Sequence, residues 1–210
     1  TSSLPAKLTA ATGMDALTHA IEAYSCLQKN PISDAYAFSA IKAVSENLIA
    51  VVKDGKNQNG RFELALASTS AGVAFSNSMV GAIHGIGHTI GALAHVHHGM
   101  AMAILLPHVM KYNMSKTANL YADLLLPLAG AEIYSKTPSN KRAEASIAFI
   151  ENMNKELNSI CGMPTSLKEA GVKEEQLTDI AKQSLNDGAM IVNPVDMNSE
   201  EVLQVLKAAF

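Results

Sequence analysis

Five of the chain's seven histidines fall in one run of sixteen residues, His84 to Gly99, reading HGIGHTIGALAHVHHG. Histidine is the commonest metal-ligating side chain and the one whose charge changes near neutral pH. Crowded onto a segment otherwise built of Gly, Ala, Ile and Leu, these rings do not read as ordinary surface. A second group lies near the N-terminus, where GMDALTHAIEAY carries Asp15 and His19. Four residues apart on a helix, the two side chains share a face, about 6 Å from turn to turn. That suits two ligands of one cation, since a carboxylate oxygen and an imidazole nitrogen each bind at about 2.0–2.2 Å. Taken alone, D-x-x-x-H is a weak pattern that solvated aspartates and packed core histidines also produce.

His84 and His88 repeat the four-residue spacing and form the obvious second pair. His98 is a rival. Were residues 84 to 98 one straight helix, its ends would lie about 21 Å apart at 1.5 Å per residue, beyond the reach of one cation. His98 joins His84 only if the helix ends between them, with Gly91 a weak point and Val96 beside Gly99 suited to a turn. Spacing therefore leaves two sets open: Asp15, His19 and His84 with His88, or the same three with His98. His95 and His97 read as an exposed polar corner. Glu22, three residues beyond His19, could hold an imidazole from behind, but reads more simply as a solvated helix residue. His108, after Pro107, reads as a packing or surface histidine.

The elements that must position these residues are helices, with no convincing strand. Apolar residues recur at helical spacing from about Pro5 to Cys26, and KNP at Lys29–Pro31 ends that helix. Ser33 or Asp34 can cap the next helix, whose apolar face is Ala37, Ile41, Val44, Leu48 and Val51. DGKNQNG at Asp54–Gly60 is a loop, followed by a small-residue helix and the histidine run. Pro107 should kink or end a helix in MAMAILLPHVMKYN, where Ile104, Leu105 and Val109 read as core. Ala118–Leu128 and Lys141–Ile160 read as amphipathic helices, with TPSN between them supplying a cap. EEQLTDIAKQSLND is closed by Gly188, and Ser199 caps a last helix with Glu200 and Glu201 in its first turn. With no repeat and no long linker, residues 1–210 form one all-α domain, a compact bundle of roughly eight helices.

Composition narrows the rest. Hydrophobic residues make up 48% and charged residues 17%, which excludes a disordered chain. A net charge of −3 and no Lys/Arg-rich run give no electrostatic reason to expect nucleic acid or an anionic membrane as partner. No uninterrupted apolar run reaches membrane-spanning length. Two distant cysteines, Cys26 and Cys161, suggest a reducing, cytoplasmic setting. Ten methionines suit an adaptable core or substrate pocket. The chain begins with Thr rather than Met and reads as part of a longer protein.

GMDALTHAIEAY, then HGIGHTIGALAHVHHG, then AILLPHVMKYN resembles the C-terminal helical domain of the iron-containing (group III) alcohol dehydrogenases, of the dehydroquinate synthase-like fold. The similarity continues through NDGAMIVNP and so covers essentially the whole chain. In that family one divalent metal is held by an aspartate, the histidine four residues on, and two histidines fourteen apart. The resemblance thus implies Asp15, His19, His84 and His98 as ligands. It places His88 beside the metal and the nicotinamide, in substrate placement or proton transfer. The residue before the last ligand is usually proline in the family and is His97 here.

One carboxylate with three imidazoles suits Fe²⁺ or Zn²⁺ better than Mg²⁺ or Ca²⁺. The implied reaction is oxidation of an alcohol, or reduction of an aldehyde, by hydride exchange with NAD(P). The family's N-terminal domain carries the glycine-rich dinucleotide loop. Gly81, Gly85 and Gly87 form no such fingerprint here, so NAD(P) is expected on a domain outside this chain, and a homodimer is expected of the full-length protein. Two other functions compete: a metal-binding or interaction module without dehydrogenase activity, and a metal-dependent hydrolase, which would need a carboxylate base that only Glu22 could supply.

Overall fold

The computed structural model describes residues 1–210 as eight α-helices joined by turns, without a strand. They are α1 (Ala6–Ser25), α2 (Pro31–Lys53), α3 (Gln58–Ser78), α4 (Ala82–Ala94), α5 (His98–Lys136), α6 (Arg142–Cys161), α7 (Leu177–Ser184) and α8 (Ser199–Ala208). Short 3₁₀ turns occupy Ser139–Lys141, Glu174–Gln176 and Gly188–Val192. The all-α architecture agrees with the periodicity of the sequence.

One core runs through the bundle. Met14, Leu17 and Ile21 of α1 meet Ile41 and Leu48 of α2, Ile83, Ile86 and Ile90 of α4, and Met102, Ile104 and Leu105 of α5, all fully buried. α1 packs on α2, α3 and α5, while α4 lies between α5, α7 and the Gly188–Val192 turn. The α4 helix, which carries two of the clustered histidines, is therefore held on several sides.

Several helix ends differ from their expected places, each for a local reason. α2 starts at Pro31 and is capped by Asn30, whose Oδ1 accepts from the Ile32 and Ser33 amides at 3.2 and 3.1 Å. Ser33 instead completes a reciprocal cap and Asp34 pairs with Lys29 at 2.6 Å, so KNP opens a helix as well as closing one. Asn57 caps α3 inside the expected loop. The TPSN segment gives α6 no side-chain cap; a 3₁₀ turn leads into it. Gly188 begins a 3₁₀ turn capped by Asp187 rather than ending a helix, and Asn198 caps α8 with Glu201, leaving Ser199 one residue inside.

Pro107 neither ends nor breaks α5, in which only Gly130 leaves helical φ/ψ. A proline deprives the carbonyl four residues earlier of its partner. Here that carbonyl belongs to Ala103, and buried Asn154 of α6 donates to it at 2.6 Å. The replacement donor satisfies the carbonyl that Pro107 leaves open, and helical φ/ψ continue through it.

By length and composition α2 could cross a membrane, in contrast to the reading from uninterrupted runs. Its apolar face is instead core, with Ala37, Ile41, Val44, Leu48 and Val51 all buried. Cys26 and Cys161 are both free thiols.

Candidate metal centre

Asp15 and His19 share one face of α1, as their spacing requires. His19 is fixed twice: Nδ1 lies 3.0 Å from the Asp15 carbonyl, and the ring stacks on Phe75 of α3 with centroids 4.4 Å apart. Burial, followed by the charge of His84, lowers the His19 pKa to about 4. The ring is therefore neutral at physiological pH and keeps a lone pair to offer.

His84 enters from α4. Its Nδ1 is hydrogen-bonded to Glu22 Oε2, and its Nε2 faces Asp15 Oδ1 at 3.9 Å. The other Glu22 oxygen accepts from the Ile83 amide at 2.7 Å, an amide in the unsatisfied first turn of α4. Glu22 is thus a buried orienting carboxylate, not the solvated residue expected from sequence. Its position seven residues after Asp15, two turns along the same helix, was the available signal.

Between α4 and α5 the chain reverses within His95–His97. The α4 helix passes Gly91 and ends at Ala94; His95 then adopts the left-handed conformation (φ 56°, ψ 28°) and its amide donates to the Gly91 carbonyl at 3.1 Å. Val96 is buried in the turn, while His95 and His97 are exposed as expected. His98 opens α5 with Nε2 3.1 Å from Asp15 Oδ1. Its ring lies 5.4 Å from that of His84. Gly99 allows this approach, because a Cβ there would collide with the backbone carbonyl of Ala11 on α1.

The tightest group is Asp15, His19 and His84, each offering a donor atom within 4.8 Å of the others. His98 adjoins it through Asp15 and is half-exposed, so it forms the open wall. Burial pushes the Asp15 carboxyl up, but contact with His98 and the surrounding histidine charges outweigh this and hold it below the usual carboxylate range. Asp15 Oδ1 and His84 Nε2 are both buried without a hydrogen-bond partner; the His98 contact to Oδ1 is close but misaligned. Two buried unpartnered lone pairs facing each other are costly unless something binds them. A divalent cation is the group that fits a carboxylate and neutral imidazoles, and the donor set suits Fe²⁺ or Zn²⁺.

His88 lies outside this trio. It is half-exposed, stacks beside His98 at 5.4 Å, and its Nδ1 lies 2.8 Å from Asp187 Oδ2. Asn193 ties the same C-terminal turn to α4 and α5. It accepts from the Ala82 amide at 3.2 Å, exchanges hydrogen bonds with Asn113, and donates to the Val195 carbonyl at 2.7 Å. NDGAMIVNP contains both Asp187 and Asn193, but their partners His88 and Ala82 lie 99 and 111 residues away, a separation at which a single sequence carries no spacing signal.

Comparison with known proteins assigns the chain to a family. The sequence model for the Fe-containing alcohol dehydrogenase family, C-terminal, matches residues 9–210. The chain belongs to that family and is its C-terminal domain. It is 40% identical over 206 residues to 1,3-propanediol dehydrogenase of Klebsiella pneumoniae, covering 98% of this chain and 52% of the relative. Identity to the NAD-dependent methanol dehydrogenase of Bacillus methanolicus is 36% over 205 residues, covering 98% of this chain and 52% of that one. The fold superimposes on the crystal structure of a 1,3-propanediol oxidoreductase with a TM-score of 0.93 at 38% identity, covering all of this chain and 53% of that one. The chain therefore spans about half the length of the curated relatives it matches.

Proposed function

We propose that this chain is the metal-binding part of an NAD(P)-dependent alcohol dehydrogenase, with Asp15, His19, His84 and His98 holding Fe²⁺ or Zn²⁺. The carrying observation is the facing pair of unpartnered buried atoms, Asp15 Oδ1 and His84 Nε2, 3.9 Å apart. When bound, the cation supplies Lewis-acid polarisation of an alcohol or aldehyde oxygen. The half-exposed His98 side leaves room for a small substrate, and the names of the relatives above point to short alcohols and diols.

Within this chain, Glu22 fixes the His84 ring so that Nε2 points at Asp15. With both oxygens engaged by His84 and Ile83, Glu22 is not a free base, so it cannot play the part a hydrolase would have asked of it. His88, outside the trio and open to solvent, would take the substrate hydroxyl proton at Nε2, and NAD(P), when bound, would supply the hydride acceptor. NAD(P) binding is assigned to the remainder of the full-length protein. A homodimeric assembly and a cytoplasmic location belong to the same proposal; two free thiols support a reducing compartment.

Elemental analysis of the full-length protein and an Asp15→Ala variant, with alcohol-dependent NAD(P) reduction assayed on both, tests this reading. About one Fe or Zn per chain, lost together with activity in the variant, is expected. Full metal retention in Asp15→Ala would overturn the ligand assignment.

A further inference from the structure

Asp187 sits on the turn between α7 and the 3₁₀ segment Gly188–Val192, with no part in the ligand cluster. Its two oxygens have different duties. Oδ1 accepts from the Ala189 amide at 2.8 Å, fixing the turn, and Oδ2 faces His88 Nδ1 at 2.8 Å. The turn is pressed onto α4 where the helix has no side chain: a Cβ on Gly85 would meet Met190 Sδ at 2.7 Å and Asp187 Cβ at 3.6 Å. Asn193 clamps the far end of the same turn to the start of α4 through the Ala82 amide. Asp187 is thus carried on a turn held against α4 at two places, Gly85 and Ala82.

We infer that Asp187 is a positioning residue that sets the tautomer of His88, keeping the proton on Nδ1 and leaving Nε2 as a lone-pair acceptor toward the substrate. This rests on the proposed role of His88 as proton acceptor. A carboxylate only accepts hydrogen bonds, so the ring nitrogen facing it must carry the hydrogen. Nε2 then has no proton and makes no hydrogen bond to the protein, and it can take the hydroxyl proton of an alcohol. The ring becomes an imidazolium stabilised by the carboxylate at Nδ1, and Nε2 later passes its proton to water. In aldehyde reduction the same nitrogen delivers the proton. The logic parallels the aspartate behind the histidine in serine proteases, where an asparagine in its place enforces the wrong tautomer.

The two oxygens make the test selective. In Asp187→Asn the side-chain carbonyl stays with the Ala189 amide, so the NH₂ faces His88 Nδ1, which must then accept; the ring proton moves to Nε2 and the acceptor is lost. Asp187→Ala frees the tautomer but also loses the turn cap, and should be the less stable of the two. In the full-length holoenzyme, kcat should fall roughly 10²-fold in Asp187→Asn with KM and metal content kept, and only about tenfold in Asp187→Ala. Diethylpyrocarbonate, which acylates a ring nitrogen bearing a free lone pair, should modify His88 in the parent and Asp187→Ala proteins and fail to do so in Asp187→Asn. If kcat instead follows stability, with Ala worse than Asn and His88 modified alike in all three, Asp187 is merely structural and the inference is overturned. If Asp187→Asn blocks modification while His88→Ala keeps full kcat, the positioning stands and only the proton-acceptor role of His88 falls.

Discussion

Glu22 grips His84 from behind: one carboxylate oxygen binds the ring at Nδ1 while the other binds the backbone amide of the preceding residue, Ile83. Side chain and helix start are thereby aimed as a unit. Glu22→Gln keeps the volume but can accept at only one of the two places. Metal affinity should fall roughly 10- to 100-fold, read by competition with a chelator of known affinity. Unchanged affinity would mean that packing alone orients His84.

His88 and His98 flank the trio, and single substitutions separate them. His98→Ala should lose most of its bound metal, while His88→Ala should retain it and lose turnover. Elemental analysis beside steady-state rates decides the matter. Full metal affinity in His98→Ala with loss in His88→Ala would exchange the two assignments.

Proton release should accompany metal uptake. Contact with Asp15 raises the His98 pKa above its ordinary 6.5, against the opposing effect of burial. In the cation-free protein the His98–Asp15 pair therefore adds stability that is complete below 6.5 and disappears as pH rises through the raised value. A cation needs the neutral ring and must expel that proton, so apparent affinity should weaken as pH falls through the same window. His19, neutral down to about 4, adds nothing there. Zn²⁺ titrations of the full-length protein near pH 7, in buffers of different ionisation heat, read the protons directly. Identical heats in every buffer would contradict the account.

Two glycines give contrasting predictions. At Gly99 a Cβ meets the Ala11 backbone, whereas at Gly87 it meets mainly the terminal methyl of Met102. Gly99→Ala should cost about 3 kcal/mol and push His98 off the cluster, while Gly87→Ala, relieved by a rotamer change, should cost about 1 kcal/mol. Thermal melts with and without chelator measure both. Equal shifts would show that α1 and α5 can separate freely.

The pairing of Asp15 with His19 was legible from spacing because both lie on one regular helix. The choice between His88 and His98 was not, since it depends on a three-residue reversal whose left-handed residue is His95, a type that does not announce that conformation as glycine does. Gly91, the visible breaker, lies inside the helix. Pro107 misleads for a related reason: the compensating donor, Asn154, sits on another helix. Glu22 reads as solvated until α4 is known to cover it. Helical periodicity reports the face a residue occupies, and the sites missed here are those decided by what packs onto that face.

The order of the proposed ligands along the chain carries a consequence for assembly in time. Asp15 and His19 are made first, yet all of α2 and α3 separate them from His84, and a further turn separates His84 from His98. Helices joined by short turns pair early because little loop entropy opposes them, whereas contacts between α1 and α4 are distant in sequence and close later. A cation that arrives early finds only an aspartate and one imidazole, a weak hold. On the proposed ligand set, capture should fall at the end of folding, and occupancy of the site would certify a finished core rather than nucleate one.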